Sequence, residues 1–351
     1  MHQLVATLDE AAPALPTALV GAQARDRLRA AAACLPAALT TRVYLECPLG
    51  RASDRADLIV LVDHRGRAWL RRDRMPLPSP AEQRSAEGWT AVEAFAANWN
   101  PEASAVAGLW LELDLPPGAE PLPAPRLFLD YRRASGRPLA PSLVAPLVTL
   151  IGSRPLPELV SCLQRCFDQL PPGTTVPSLG TSRVDRWDSL RVCVAGLPSH
   201  ALPALLRAVG WPGDAEALGA RHRALADLRN DDRISLLHLD LPFAGSAPIG
   251  LEYAFSVRGE SGEQTFIASL VERGLCLPDQ CIGLQQWPGH AILTLSHQLW
   301  PSLVVRRLNH VKVVHDRQGT MQAKAYLSLS HAFHRRRAAG DRSLPAPRLY
   351  R

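Results

Sequence analysis

Along the chain, short runs in which apolar and polar side chains alternate are separated by runs with apolar residues at helical spacing. Residues 42–47 and 57–63 flank a loop containing Gly, Ser and Asp, and their sidedness predicts two neighbouring strands. A second pair is predicted at 109–115, where Leu109, Leu111, Leu113 and Leu115 alternate with Trp110, Glu112 and Asp114, and at 126–131 after a Pro-rich connection. Further strands are predicted at 189–195, 234–241, 250–257, 310–315 and 321–328. Helices are predicted between them at 17–34 (ending near Pro36), 80–99, 156–170, 200–209, 215–228, 263–273 and 278–287. The 156–170 segment carries Leu159, Cys162, Leu163, Cys166 and Phe167 on one stripe, as a helix packed on one side does.

The recurring order is strand, strand, helix, helix, with nine or ten strands in all. Leu111-Glu112-Leu113-Asp114-Leu115-Pro116 matches Leu237-His238-Leu239-Asp240-Leu241-Pro242 at five of six positions, 126 residues apart. Arg186 to Val192 aligns with Arg307 to Val313 at a similar offset of 121, which sets Arg191 against Lys312. Antiparallel strand pairs backed by helices can form side-by-side domains, or one sheet that closes on itself with helices outside. Closure removes exposed edges.

Composition narrows the class. In 351 residues, 47% hydrophobic and 21% charged side chains suffice for a full core and exclude global disorder. No run reaches the ~18 uncharged apolar residues of a membrane span. Met1 to Glu10 lacks the basic and apolar regions of a signal peptide, so a cytoplasmic protein is expected. The net charge of +6 is spread along the chain apart from His334-Arg335-Arg336-Arg337, so nucleic acid is not required as a partner. Seven cysteines, an odd number, argue for reduced thiols; the pairs Cys162/Cys166 and Cys276/Cys281 lack zinc-ligand spacing. Of the 39 basic residues only Lys312 and Lys324 are lysine, and both lie in one short segment.

That segment, His310 to Leu327, reads as a β-hairpin. A three-residue loop at Arg317-Gln318-Gly319, with Gly319 in the left-handed region, pairs Asp316 with Thr320. Lys312 then stands opposite Lys324 and His310 opposite Tyr326, all four on one face, with Val311, Val313, Ala323, Ala325 and Leu327 on the other. Two ammonium groups directly across a ladder repel unless an anion or a carboxylate lies between them. With the tyrosine hydroxyl as a further donor, the face suits a diphosphate held by point charges, and no GxxxxGK[ST] or GxGxxG sequence is present to hold one by a glycine loop.

A Lys-x-Tyr strand (Lys324, Tyr326), a basic residue on the neighbouring strand (Lys312) and serial strand-strand-helix-helix units resemble the ABBA-type prenyltransferases, which include indole and cyanobactin-peptide enzymes. The resemblance implies an α+β fold, a closed antiparallel β-barrel of about ten strands wrapped by helices. The barrel is expected to occupy 1–333 as a single domain, followed by a basic tail at 334–351. It also implies transfer of an isoprenoid group from an allylic diphosphate to an aromatic small molecule or peptide side chain, with magnesium possible as a cofactor. Lys312, Lys324, Tyr326, Arg191 and His310 would bind the diphosphate substrate, and Glu46, on the first strand beside Tyr44, would orient the acceptor. Trp110, His238, Glu252 and Tyr253 are candidates for an interior lining.

Other constellations are weak. Asn230-Asp231-Asp232 lacks the spacing of a magnesium-binding DDxxD motif and reads as a capping loop. The histidines of the last quarter, among them His290, His297, His315 and His331, form no metal-binding spacing, and no GxSxG elbow occurs. The alternatives are a non-catalytic peptide- or anion-binding accessory protein of similar shape, and an unrelated α+β enzyme.

Overall fold

The structure is a computed structural model. It describes residues 3–36, 39–40, 42–52, 54–70, 83–100, 104–118, 122–131, 145–146, 148, 157–181, 190–243, 248–255, 261–294 and 301–333. The expected tail at 334–351, His297 and all of Arg186 to Ser189 lie outside the described residues. The strands are β1 Arg42–Pro48, β2 Asp57–Val62, β3 Gly108–Leu113, β4 Arg126–Asp130, β5 Thr175–Thr181, β6 Leu190–Ala195, β7 Leu197–Pro198 and β8 Arg233–Ile234. They continue with β9 Leu236–Leu241, β10 Ile249–Ala254, β11 Gly289–Leu293, β12 Ser302–His315 and β13 Met321–Phe333. The helices are α1 Gln3–Ala11, α2 Ala22–Cys34, α3 Gln83–Asn98, α4 Pro157–Asp168, α5 Leu202–Ala208, α6 Ala215–Ala226, α7 Ser261–Glu272 and α8 Pro278–Gln286. Among the described residues no helix is long and apolar enough to cross a membrane.

Ten strands close into a barrel in the order β1, β2, β3, β4, β5, β6, β9, β10, β12, β13, with β13 returning to β1 and every neighbouring pair antiparallel. The short β11 adds to β12 outside this ring, and β7 and β8 form a separate ribbon. The alternation seen in the sequence now has its cause. On β3, Leu109, Leu111 and Leu113 are fully buried, while Trp110 and Glu112 line an internal chamber. The other barrel strands follow suit: Leu45, Leu58, Val60, Leu127, Leu129, Val192, Leu239, Leu251, Val313 and Leu327 are fully buried in one apolar core that also includes Leu28, Trp89, Phe95, Leu163, Phe167, Leu218, Phe266 and Trp287 of the helices and their flanks. The core thus lies between barrel and helices, which leaves the inside of the barrel to polar residues. The buried indoles of Trp89, Trp99 and Trp287 each donate to a backbone carbonyl, so no N–H is stranded there.

Several elements differ from the sequence reading, and two of the differences have clear physical reasons. The helix expected from residue 17 begins at Ala22, after a turn in which Leu19 and Val20 bond back to Pro16; Gly21 is its N-cap, and Asp54 of the β1–β2 loop accepts from the Ala24 N–H at 3.1 Å. Strand β5 escapes the pattern because Pro177 and Gly180 imitate a turn. Pro177 sits at a shift in the β5–β6 register, and a Cβ on Gly180 would lie 2.0 Å from the Phe128 ring, so only glycine fits beneath that ring. Strands β12 and β13 run well past the expected hairpin, with an irregularity between Leu308 and His310.

The sequence echo is half right. β3 and β9 lie four places apart round the ring and run the same way, as repeat-equivalent strands must, but β6 and β12 lie three places apart and run in opposite directions. The alignment of Arg191 with Lys312 is therefore a coincidence of strand composition, although both side chains line the chamber. Asn230 closes a 3-10 turn in the left-handed region (φ 50°), in keeping with its reading as a capping loop.

Candidate active site

The hairpin has the register that its turn dictates. Gly319 adopts φ +86°, its N–H bonds the Asp316 carbonyl, and the Asp316 N–H bonds the Thr320 carbonyl at 3.1 Å. Lys312 pairs with Lys324 and His310 with Tyr326. Barrel closure then brings β1 alongside β13 with Glu46 opposite Tyr326, and β10 alongside β12 with Glu252 opposite Lys312.

Two carboxylates organise the surroundings. Glu46, 2% exposed, accepts hydrogen bonds from Lys324 Nζ and from the Tyr326 hydroxyl. Burial alone would raise its pKa, but the charges of Lys324 and Lys312 and these two hydrogen bonds pull it down to about 2, so it remains ionised. Burial and the neighbouring carboxylates push the Tyr326 phenol well above its usual value and keep its proton in place. Glu252 is the second hub: its Oε1 lies 2.7 Å from His238 Nε2 and 3.3 Å from His310 Nε2. The His310 ring stacks on Tyr326 with centroids 4.0 Å apart and an interplanar angle of 24°, joining the two hubs. Burial, followed by the Lys312 charge, lowers His310 to about 3; Nδ1 accepts from the Asn309 amide, so the neutral ring carries its proton on Nε2.

Lys312 is different. It is 7% exposed and lines the chamber, yet among the described residues no hydrogen bond or ion pair reaches its ammonium group. Its stem crosses Gly250, where a Cβ would come 2.5 Å from Lys312 Cε. Burial and the Arg191 charge lower its pKa, against the pull of Glu252, Glu46 and Glu112. Arg191 makes a bidentate pair with Asp240 at 2.6 and 2.8 Å, and its guanidinium lies 5.9 Å from the Phe128 ring centroid.

The chamber has a volume of about 590 Å³ and is walled by aromatic faces as well as charge. Tyr44 and Trp110 meet edge-on at 5.4 Å, and Phe128 and Tyr326 complete the aromatic part of the wall. Lys324 lines a separate cavity of about 330 Å³ with Arg51, Arg55 and Asp57. Of the anion or carboxylate that the two lysines require between them, the structure shows the carboxylate: Glu46 takes Lys324, and of the two lysines Lys312 lines the larger space. Trp110, His238 and Glu252 line the chamber as candidates for an interior, whereas Tyr253 points outward to His222 and Phe266.

Glu112, Asp240, Phe128 and Cys193 are among the site residues that the sequence reading passed over, and two of them, Glu112 and Asp240, stand in one repeated segment. Their signal was present in the polar positions of the repeated Leu-x-Leu-Asp-Leu-Pro segment. Glu112 lines the chamber two residues from Trp110, with Arg126 at 3.9 Å; burial and the Glu46 charge raise its pKa. Among the described residues no group of three or more His, Cys, Asp or Glu side chains is placed to hold a metal ion. The carboxylates Glu46, Asp240 and Glu252 already serve Lys324, Arg191 and His238, so the donor set is not a magnesium cage of its own.

The arrangement of strands has a counterpart among solved structures. The crystal structure of the prenyltransferase PriB in its apo form matches with a TM-score of 0.50 at 16% identity, over 94% of this chain and 94% of that one. The fold is the ABBA prenyltransferase barrel. 5-Dimethylallyltryptophan synthase from Streptomyces coelicolor also matches, with a TM-score of 0.47 at 17% identity over 93% of this chain and 95% of that one. PriB in a binary complex with product diphosphate gives 0.48 at 16% identity, over 94% of each chain. No family model and no curated protein sequence matches the chain. At these identities the likeness is one of fold.

Proposed function

We propose that the chain is a prenyltransferase that moves an isoprenoid group from an allylic diphosphate to an aromatic or peptide side-chain acceptor inside the barrel. The observation that carries this reading is the Lys312 ammonium group, buried in a chamber wall without a hydrogen-bond or ion-pair partner among the described residues. A cation held in that state is destabilising in the empty protein and is relieved by an anionic ligand. The barrel shared with PriB, a prenyltransferase, supports the same chemistry.

In this reading the carbon–oxygen bond of the allylic diphosphate breaks, and the electron pair leaves with the diphosphate. Lys312 and Arg191 stabilise the charge that grows on its oxygens, with the Tyr326 hydroxyl and the His310 Nε2–H as neutral donors. Fixed donors in a water-poor cavity act strongly because they need not reorganise as the charge develops. Trp110, Phe128 and Tyr44 turn aromatic faces to the allylic cation and keep water from it. Lys324 and Glu46 act at one remove: Glu46 holds Lys324 and fixes Tyr326, which makes both positioning residues. The carboxylate at the chamber wall beside Trp110 is Glu112, and its raised pKa suits it to accept a proton from the acceptor as the new bond forms.

The test is turnover. Dimethylallyl diphosphate with a panel of indoles, phenols and tyrosine or tryptophan peptides is expected to give a prenylated product and free diphosphate, and Lys312→Met is expected to abolish both. Anion binding without any product across the panel would instead favour an accessory protein that only binds.

A further inference from the structure

Beyond the diphosphate contacts, the chamber holds a thiol set against a base and an orienting carboxylate. Cys193 Sγ lies 3.5 Å from His238 Nδ1, and His238 Nε2 lies 2.7 Å from Glu252 Oε1. All three residues line the chamber. One tautomer satisfies both contacts: Nε2–H donates to the carboxylate, and Nδ1 is left to accept from the thiol. Three different strands, β6, β9 and β10, deliver the side chains through direct pairing of Cys193 with His238 and of His238 with Gly250, two residues before Glu252. Across the ladder on β5, Ser178 pairs with Cys193.

We propose that Cys193, His238 and Glu252 act as nucleophile, base and orienter, and that the chamber captures an allylic group on the Cys193 thiol when no other acceptor is bound. The capture rests on the allylic-diphosphate reading of the chamber; the triad geometry does not. The step balances within the site. Cys193 Sγ attacks the first carbon of the allyl group as its S–H proton passes to His238 Nδ1. The carbon–oxygen bond breaks, and its electron pair leaves on the diphosphate held by Lys312 and Arg191. The products are a thioether on Cys193, free diphosphate and an imidazolium ion paired with Glu252.

The resting state is neutral. Burial pushes the Cys193 thiol up to about 12, and burial with the charges of Lys312, Arg191, His310 and Lys324 holds His238 well below its usual range. An anion on Lys312 and Arg191 cancels part of the field that keeps His238 from taking a proton. The same ligand that supplies the electrophile therefore strengthens the base.

The experiment has two parts. First, native protein is treated with iodoacetamide, and each cysteine is followed by peptide mass spectrometry. Cys193 is expected to be alkylated about tenfold or more faster than Cys47 and Cys166, which are as buried but have no imidazole partner among the described residues. His238→Ala and, as a milder change, Glu252→Gln are expected to slow Cys193 alone. Equal rates at the three cysteines, or rates at Cys193 indifferent to both variants, would overturn the triad. Second, dimethylallyl diphosphate without acceptor is expected to add one allyl group to the wild type at Cys193 and none to Cys193→Ser. If no adduct forms although the diphosphate raises the melting temperature, the capture is overturned and the ligand reading stands; if neither an adduct nor a shift appears, the ligand reading itself fails.

Discussion

Lys312 and Lys324 face one another across the β12–β13 ladder, and Glu46 bonds Lys324 while no hydrogen bond or ion pair reaches Lys312 among the described residues. One carboxylate thus separates two like charges that would otherwise repel, and it leaves the more deeply buried ammonium group free to meet a ligand.

Removing that carboxylate has a defined consequence. Glu46→Gln leaves two lysines with no charge between them and is expected to cost about 1 to 3 kcal/mol of stability, less than a fully buried pair because Lys324 keeps 30% of its side chain exposed. Urea denaturation of Glu46→Gln, Lys324→Met and the double variant measures it. The double variant is expected to recover part of the loss, and strict additivity would show that the two residues do not interact.

The reach of the sequence is clear from these residues. The hairpin register followed from one glycine, Gly319, because the left-handed turn fixes which residues pair, and the pairing then put both lysines on one face. Neighbours supplied by barrel closure carry no such local signal: Glu46 lies 278 residues from Lys324 in the chain, and Glu252 meets Lys312 only because β10 pairs with β12. Strand β5 was hidden for a related reason, since Gly180 is dictated by the Phe128 ring on the next strand rather than by its own backbone.

Acid should unfold the protein in two stages. His310, His222 and His315 have folded-state values depressed to about 3, 4 and 4 from an ordinary 6.5, so the unfolded chain binds protons first. Stability is expected to fall as pH drops below 6.5, by up to about 1.4 kcal/mol per pH unit for each histidine. Glu46, depressed to about 2, stabilises fully above its unfolded value of 4.5 and loses that contribution as pH falls from there toward 2. Denaturant midpoints from pH 7 to 3 check the order, and His310→Gln is expected to flatten the upper stage. An unchanged slope would contradict the neutral, buried imidazole.

Two glycines separate ligand effects from stability effects. In Gly250→Ala the new methyl meets the flexible end of Lys312, which can move aside, so folding should change little while affinity for pyrophosphate falls. In Gly180→Ala the methyl meets the stiff Phe128 ring, and a loss of about 1 to 3 kcal/mol is expected. Calorimetry with and without pyrophosphate reads both.

Glu112 should matter to transfer and not to diphosphate binding. Glu112→Gln is expected to lower the rate of product formation about a hundredfold, as loss of a general base does, while the thermal shift with pyrophosphate persists. A normal rate would move the acceptor role elsewhere in the wall.

The central claim, that the Lys312 ammonium group is held ready for an anionic ligand, is tested most directly by melting curves of wild type and Lys312→Met with and without a thio-analogue of dimethylallyl diphosphate. Wild type is expected to be stabilised by the ligand; Lys312→Met is expected to match or exceed the wild-type melting temperature alone and to gain nothing on addition. An equal ligand-induced rise in both proteins, or none in the wild type, would contradict it.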